Sequence, residues 1–119
     1  MREVDGEIGV EDAVAYLEAA RPHQMNGKQG WYASGYAFGM WRGVLAAVGL
    51  KTVLVEPPKW KADMGLTGTD KTRSREMAME QFPEVSSKLS RVKDHGRAEA
   101  LLLALWGQQS SAESRREDA

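Results

Sequence analysis

The sequence predicts an α/β fold with a short parallel sheet and packed helices. Two short apolar runs, residues 13–18 and 51–55, have the composition of buried strands. A helical stretch over 33–48 separates them, and a right-handed parallel connection is expected across it. Past the second run every pattern is helical, so the order is strand, helix, strand and then helices. At 119 residues and 42% hydrophobic, the chain has material for one core. Residues 1–107 therefore read as a single domain, and the polar stretch 108–119 as a disordered tail.

Residues 1–12 are acidic, contain Gly6 and Gly9, and read as an irregular lead or weak strand. In the run 13–18, alternation places Val14, Tyr16 and Glu18 on one face. Residues 19–31 carry Pro22, Asn26-Gly27 and Gly30 and read as a loop. Ser34 is a candidate cap for the helix 33–48. In that helix Gly35, Gly39 and Gly43 recur on nearly one face, which predicts close approach of another backbone. Gly49 stops it. Lys51 to Val55 is the second strand, Pro57 and Pro58 open a short helix through Trp60, and Gly65 and Gly68 mark a loop. Thr69 or Asp70 caps a helix to about Gln81, closed by Phe82-Pro83. Ser86 to Val92 is a basic connector, and the last helix covers about 96–107.

There is no cysteine, which excludes disulfides, zinc–thiolate sites and thiol catalysis. The apolar runs are shorter than a membrane span and no signal peptide opens the chain, so a soluble cytoplasmic protein is the expectation. The net charge of −1 advertises no polyanionic partner, but its distribution is uneven. Residues 1–18 hold six acids and one base, whereas residues 57–97 hold nine bases and six acids. A locally basic half suits a nucleic acid, and equally an ordinary solvated surface.

The run Lys93 to Gly107 is the most telling segment. Asp94, His95, Arg97 and Glu99 crowd the start of a helix whose remainder is apolar. An ionised group among buried residues is costly unless it is paired or holds a metal. Sites in open α/β sheets lie at the carboxyl ends of strands, and Glu18 ends the first strand. If the last helix crosses the sheet, Glu18, Asp94 and Glu99 converge. Several carboxylates suit Mg²⁺ or Mn²⁺, and two such ions about 4 Å apart serve phosphodiester cleavage. The plainer alternatives are an exposed strand end for Glu18 and a helix cap for Asp94. His95 is a ligand, an acid–base group, a phosphate contact or an exposed loop histidine; His23, in a Pro-containing loop, has no catalytic setting. The loop around Lys28, Gln29 and Gly30, with Trp31 and Tyr32, is suited to close approach by DNA, or is an ordinary surface loop. Lys59 and Lys61 flank Trp60, itself a core candidate. Lys71, Arg73 and Arg75 sit at a helix start, where backbone N–H groups favour phosphate.

Taken in order, several segments resemble one family: Val14 to Glu18, Gly30, Phe38 to Gly43, Glu56-Pro57-Pro58-Lys59-Trp60-Lys61, Asp70-Lys71 to Phe82-Pro83, and Lys93 to Leu102. The chain resembles the RuvC-like Holliday junction resolvases of RNase H-like fold, in the phage and bacterial branch akin to the chloroplast resolvase. The resemblance spans about residues 13–107. It implies a homodimeric, Mg²⁺- or Mn²⁺-dependent endonuclease that nicks four-way or branched DNA in recombination and repair. It also implies a cytoplasmic, nucleoid-associated setting in a bacterium or phage. Glu18, Asp94 and Glu99 match the family's metal-binding acids, with His95 beside them. Lys28, Gln29, Gly30, Lys59, Lys61, Lys71, Arg73, Arg75, Lys93 and Arg97 are the expected DNA contacts. The family opens with a strand bearing an Asp and two further strands, which have no counterpart here; neither Asp5 nor Asp12 follows a hydrophobic strand. The fold expected is thus an N-terminally truncated RuvC-type domain. The competing expectation is a catalytically incomplete junction-binding remnant, or a subunit whose missing strand a partner supplies.

Overall fold

The computed structural model describes residues 12–20 and 27–118. The expectations for residues 1–11 and for the loop 21–26, His23 included, lie outside the described residues. The chain divides into two compact units, Met1–Glu56 and Pro57–Ala119, where a single domain is expected from the sequence.

In the first unit, strand β1 (Val14–Glu18) pairs in parallel with β2 (Lys51–Val55), in a register that sets Val14 against Lys51 and Glu18 against Val55. Beyond β1, the Ala19 N–H donates to the Val55 carbonyl at 2.8 Å. Helix α1 (Lys28–Val48) links the strands, since parallel neighbours cannot be joined by a tight turn. Gly49 stops α1 with φ of 90°, a left-handed conformation that glycine adopts without a Cβ clash. The α/β order and the parallel pairing are as the sequence predicts.

Two expectations for this helix are corrected. It starts at Lys28, not near residue 33, with the Trp31 N–H already bonded to the Gly27 carbonyl at 3.0 Å. Lys28, Gln29 and Gly30 therefore form its exposed first turn and are no loop. Nor, among the described residues, does any backbone approach Gly35, Gly39 or Gly43, since a Cβ built at each meets nothing within 4 Å. The partly covered stripe of α1 runs through Phe38 and Leu45, seven residues apart and so on one face. The glycines lie off that line.

The second unit is helical. Helix α2 (Pro57–Asp63) begins on two prolines, whose missing N–H groups cost nothing in a first turn. It runs one residue short of Met64, longer than the sequence suggests. Gly65 (φ 73°) and Gly68 (φ 78°) shape the turn to helix α3 (Lys71–Gln81). Asp70 caps α3, its carboxylate accepting the Arg73 N–H at 3.1 Å, as expected. The basic connector is ordered as two 3₁₀ turns, Pro83–Lys88 and Val92–Asp94. Helix α4 (His95–Asp118) follows directly. It continues through the stretch read as a disordered tail, because Gln, Ala, Glu and Arg dominate there and all favour helix.

The core of this unit is Trp60, Leu66, Ala78, Leu89, Ala98, Leu102 and Leu103. Helices α3 and α4 pack together. Ser74 and Ala78 on α3, and Ala98 and Leu102 on α4, are buried one turn apart. Small residues at three of these positions let the axes approach closely. Two arginines then tie the connector down: Arg75 Nη1 donates to the Ser90 carbonyl at 2.6 Å, and Arg97 Nη1 to that of Lys88 at 2.9 Å. No helix among the described residues is long and apolar enough to cross a membrane.

Candidate functional site

The second unit contains a cleft of about 460 Å³ lined by α2, the turn after it and the first turns of α3 and α4. Helix α2 contributes Lys61, α3 contributes Lys71 and Ser74, and α4 contributes His95 and Glu99. Each side chain arrives by a simple local rule. His95 and Glu99 are four residues apart and so project from one face of α4. The glycine turn folds α2 back, the Leu66 N–H bonding the Lys61 carbonyl at 2.7 Å, and Thr69 Oγ1 donates to the Leu66 carbonyl at 2.7 Å. Asp70 then caps α3, which brings Lys71 and Ser74 into the lining of the cleft.

Glu99 is the centre of this arrangement. Its Oε2 lies 3.1 Å from His95 Nε2, 3.7 Å from Lys61 Nζ and 3.4 Å from the donating Ser74 Oγ. The Glu99 side chain is only 19% exposed and His95 25%, so both are partly shielded from water, which strengthens their interaction with charge. Lys71 is exposed at the rim. The cleft thus sets the Glu99 carboxylate and the His95 imidazole beside Lys61, with Lys71 and the Asp70 carboxylate also in its lining. Such a set can bind the phosphate of a polyanion at the lysines, while Glu99 and His95 remain available to a cation or to a proton.

Several predicted site residues are placed elsewhere. Asp94, expected among the metal ligands, is 2% exposed and gives both carboxylate oxygens to Arg91. The Arg91 N–H and Nε donate to Oδ2 at 3.0 and 3.2 Å, and Nη2 to Oδ1 at 3.0 Å. These bonds, foremost those from the Arg91 side chain, hold the Asp94 carboxyl below the usual carboxylate range. Arg97 bonds the Lys88 carbonyl and lies 3.8 Å from Asp94, so its guanidinium is engaged within the fold. Arg75 is likewise engaged by Ser90, and Arg73 pairs with Glu76 and Glu80 at 3.7 Å each. Lys59 sits 3.2 Å from Asp63, which also accepts Trp106 Nε1 at 2.8 Å; the Trp106 bond above all lowers the Asp63 carboxyl. Lys93 is exposed. Trp60 is fully buried, as a core residue should be. In the first unit, Glu18 ends β1 opposite Val55, and Lys28, Gln29 and Gly30 are exposed at the start of α1. Among the described residues, no group of three or more His, Asp or Glu side chains is placed to hold a metal ion.

Ser74 is the functional neighbour that sequence reading misses. Its only signal is spacing: four residues after the capping Asp70 and four before Ala78, it sits on the one face of α3 that is buried.

No protein-family model matches the chain. Among curated proteins, it is 38% identical over 76 residues to a protein of Chlamydomonas reinhardtii described as "Holliday junction resolvase MOC1, chloroplastic". The match takes in 63% of this chain but 9% of that relative, so the chain spans a small fraction of the length of the curated protein it matches. Over that stretch, the chain is related to a Holliday junction resolvase.

Proposed function

We propose that the chain carries the catalytic face of a RuvC-like, RNase H-like junction resolvase, which hydrolyses phosphodiester bonds in four-way or branched DNA. The observation that supports this most directly is the cleft in which Glu99 and His95 meet Lys61 and Lys71. In this reading Lys61 and Lys71 hold the DNA backbone. Ser74 steadies Glu99 through its hydroxyl. His95, at 3.1 Å from Glu99, is placed to hold or pass a proton at Nε2.

A divalent Mg²⁺ or Mn²⁺ belongs to the proposal, and the fit is partial. Glu99 is a carboxylate donor of the kind these ions take, but its Oε2 is engaged by His95 at 3.1 Å and Lys61 at 3.7 Å. Glu99 would hold the ion with Lys61 giving way and His95 beside it. Such an ion supplies a nucleophilic water and stabilises the leaving oxygen. A homodimer is proposed because a four-way junction presents equivalent strands related by two-fold symmetry.

Incubation of the folded protein with a synthetic four-way junction and Mg²⁺ or Mn²⁺ tests the reading. Nicking is expected, with Glu99→Gln lowering the rate at least about a hundredfold. A well-folded protein that neither binds nor nicks junctions would overturn it. The second reading, a junction-binding module without catalysis, is favoured by the lack of a three-ligand group among the described residues. Its signature is binding that weakens steeply with salt and no nicking.

A further inference from the structure

From the contacts around the start of α4 we infer that Asp94 is a positioning residue: clamped to Arg91, it aims His95 and Glu99 into the cleft and is not itself a ligand. The inference rests on the nuclease reading only for the consequence it predicts in catalysis.

Three observations carry it. The first is angular. An α-helix advances about 100° per residue, so His95 and Glu99 lie about 40° apart on α4, whereas Asp94 and Glu99 lie about 140° apart. If the helical rotation extends back to Asp94, that carboxylate faces away from the cleft, and Asp94 is absent from the cleft lining. The second is occupancy. Both Asp94 oxygens are engaged: Oδ2 by the Arg91 N–H and Nε, and Oδ1 by Nη2 at 3.0 Å, with Arg97 Nη1 at 3.8 Å. A metal drawing on this carboxylate would have to break a bidentate guanidinium pair at a side chain 2% exposed. The third is position. Asp94 closes the 3₁₀ turn Val92–Asp94, and α4 starts at the next residue. Its carboxylate accepts the Arg91 backbone N–H at 3.0 Å while its own N–H donates to the Arg91 carbonyl at 2.9 Å, so the turn is closed at both ends. The direction in which α4 leaves this turn sets where His95, the very next residue, points.

Arg91 is therefore as important as Asp94, although it carries none of the chemistry. A ligand role and a positioning role separate in the metal-free protein. Under the inference, Asp94→Asn and Arg91→Met each shift the His95 ring proton resonances without metal, and the double variant shifts them no further than either single one. The Trp106 indole resonance, far along α4, stays in place as the control. With Mn²⁺ alone as probe, paramagnetic broadening at His95 weakens by the same factor in both single variants. With junction DNA, both lower kcat about tenfold to a hundredfold, as a displacement of about 1 Å does, and leave KM unchanged. Arg91→Lys recovers part of the loss.

Two outcomes overturn the inference. If Asp94→Asn abolishes Mn²⁺ broadening at His95 while Arg91→Met leaves it intact, Asp94 is a ligand. If both variants lower only the melting temperature and leave the His95 resonances unmoved, the clamp is merely structural. If the wild-type protein cuts no junction, the nuclease reading fails, yet the metal-free resonances still decide the role of Asp94.

Discussion

Helices α1 and α4 are of similar length, 21 and 24 residues, but they meet different surroundings. α1 is rich in aromatic and apolar side chains and buries none of them. Trp31, Tyr32, Tyr36, Met40, Trp41 and Val44 are all exposed. α4 is charged at its start, yet it sinks Ala98, Leu102 and Leu103 into the core of its unit. Within its own unit α1 touches chiefly β2, whereas α4 has α2, α3 and the 3₁₀ turns around it. Apolar composition is a capacity for burial; which helix is buried depends on how many neighbours share its contacts.

The contrast can be tested by substitution. Leu102→Ala should cost about 2–5 kcal/mol in urea unfolding of the second unit, because it empties a fully buried site. A smaller loss would mean that α4 is less firmly seated than its burial implies. The acid limb of the stability profile comes next. The folded values of the Asp94 and Asp63 carboxyls are depressed, by Arg91 bonds and by the Trp106 bond respectively. Their stabilisation is therefore complete above the ordinary carboxylate value and is lost as the pH falls below about 4 toward the depressed values. Asp94→Asn should flatten that limb in acid titration followed by circular dichroism; an unchanged limb would place the titrating groups elsewhere. Asp70→Ala should remove about 1 kcal/mol by uncapping α3, read as a shift in urea midpoint at constant slope. The smallest effect, and the one most directed at α1, is a gain. Gly39→Ala should stabilise by about 0.5–1 kcal/mol, since the new methyl meets open space. A loss there would show that another backbone covers this face in solution and would restore the close packing expected from the glycine spacing.

The second strand was legible to the residue, because Lys51 to Val55 is a β-branched run closed by prolines. The α3 boundaries were legible for the same kind of reason, with a capping Asp70 at one end and Phe82-Pro83 at the other. The pairing of His95 with Glu99 was not read from the sequence, because the last helix was expected from about residue 96; its start at His95 sets the two four residues apart on one face. The start of α1 was not legible, since glycines at 27 and 30 look like a loop and only the Trp31-to-Gly27 bond shows the turn. Ser74 was hidden because α3 is polar throughout and buries a serine and an alanine where periodicity analysis looks for large apolar residues. The role of Asp94 was hidden too. Its partner is an arginine three residues upstream, a spacing that reads in sequence as an ordinary exposed helical pair.

The tryptophans are unevenly sheltered. Trp31 and Trp41 on α1 are 48% and 58% exposed, while Trp60 is sealed in the core of the other unit and Trp106 is hydrogen-bonded through its indole. Intrinsic fluorescence therefore separates into a red, iodide-quenchable component from the first unit and a blue, shielded component dominated by Trp60. The chain carries its own two-channel optical reporter, in which loss of either unit can be followed without a label.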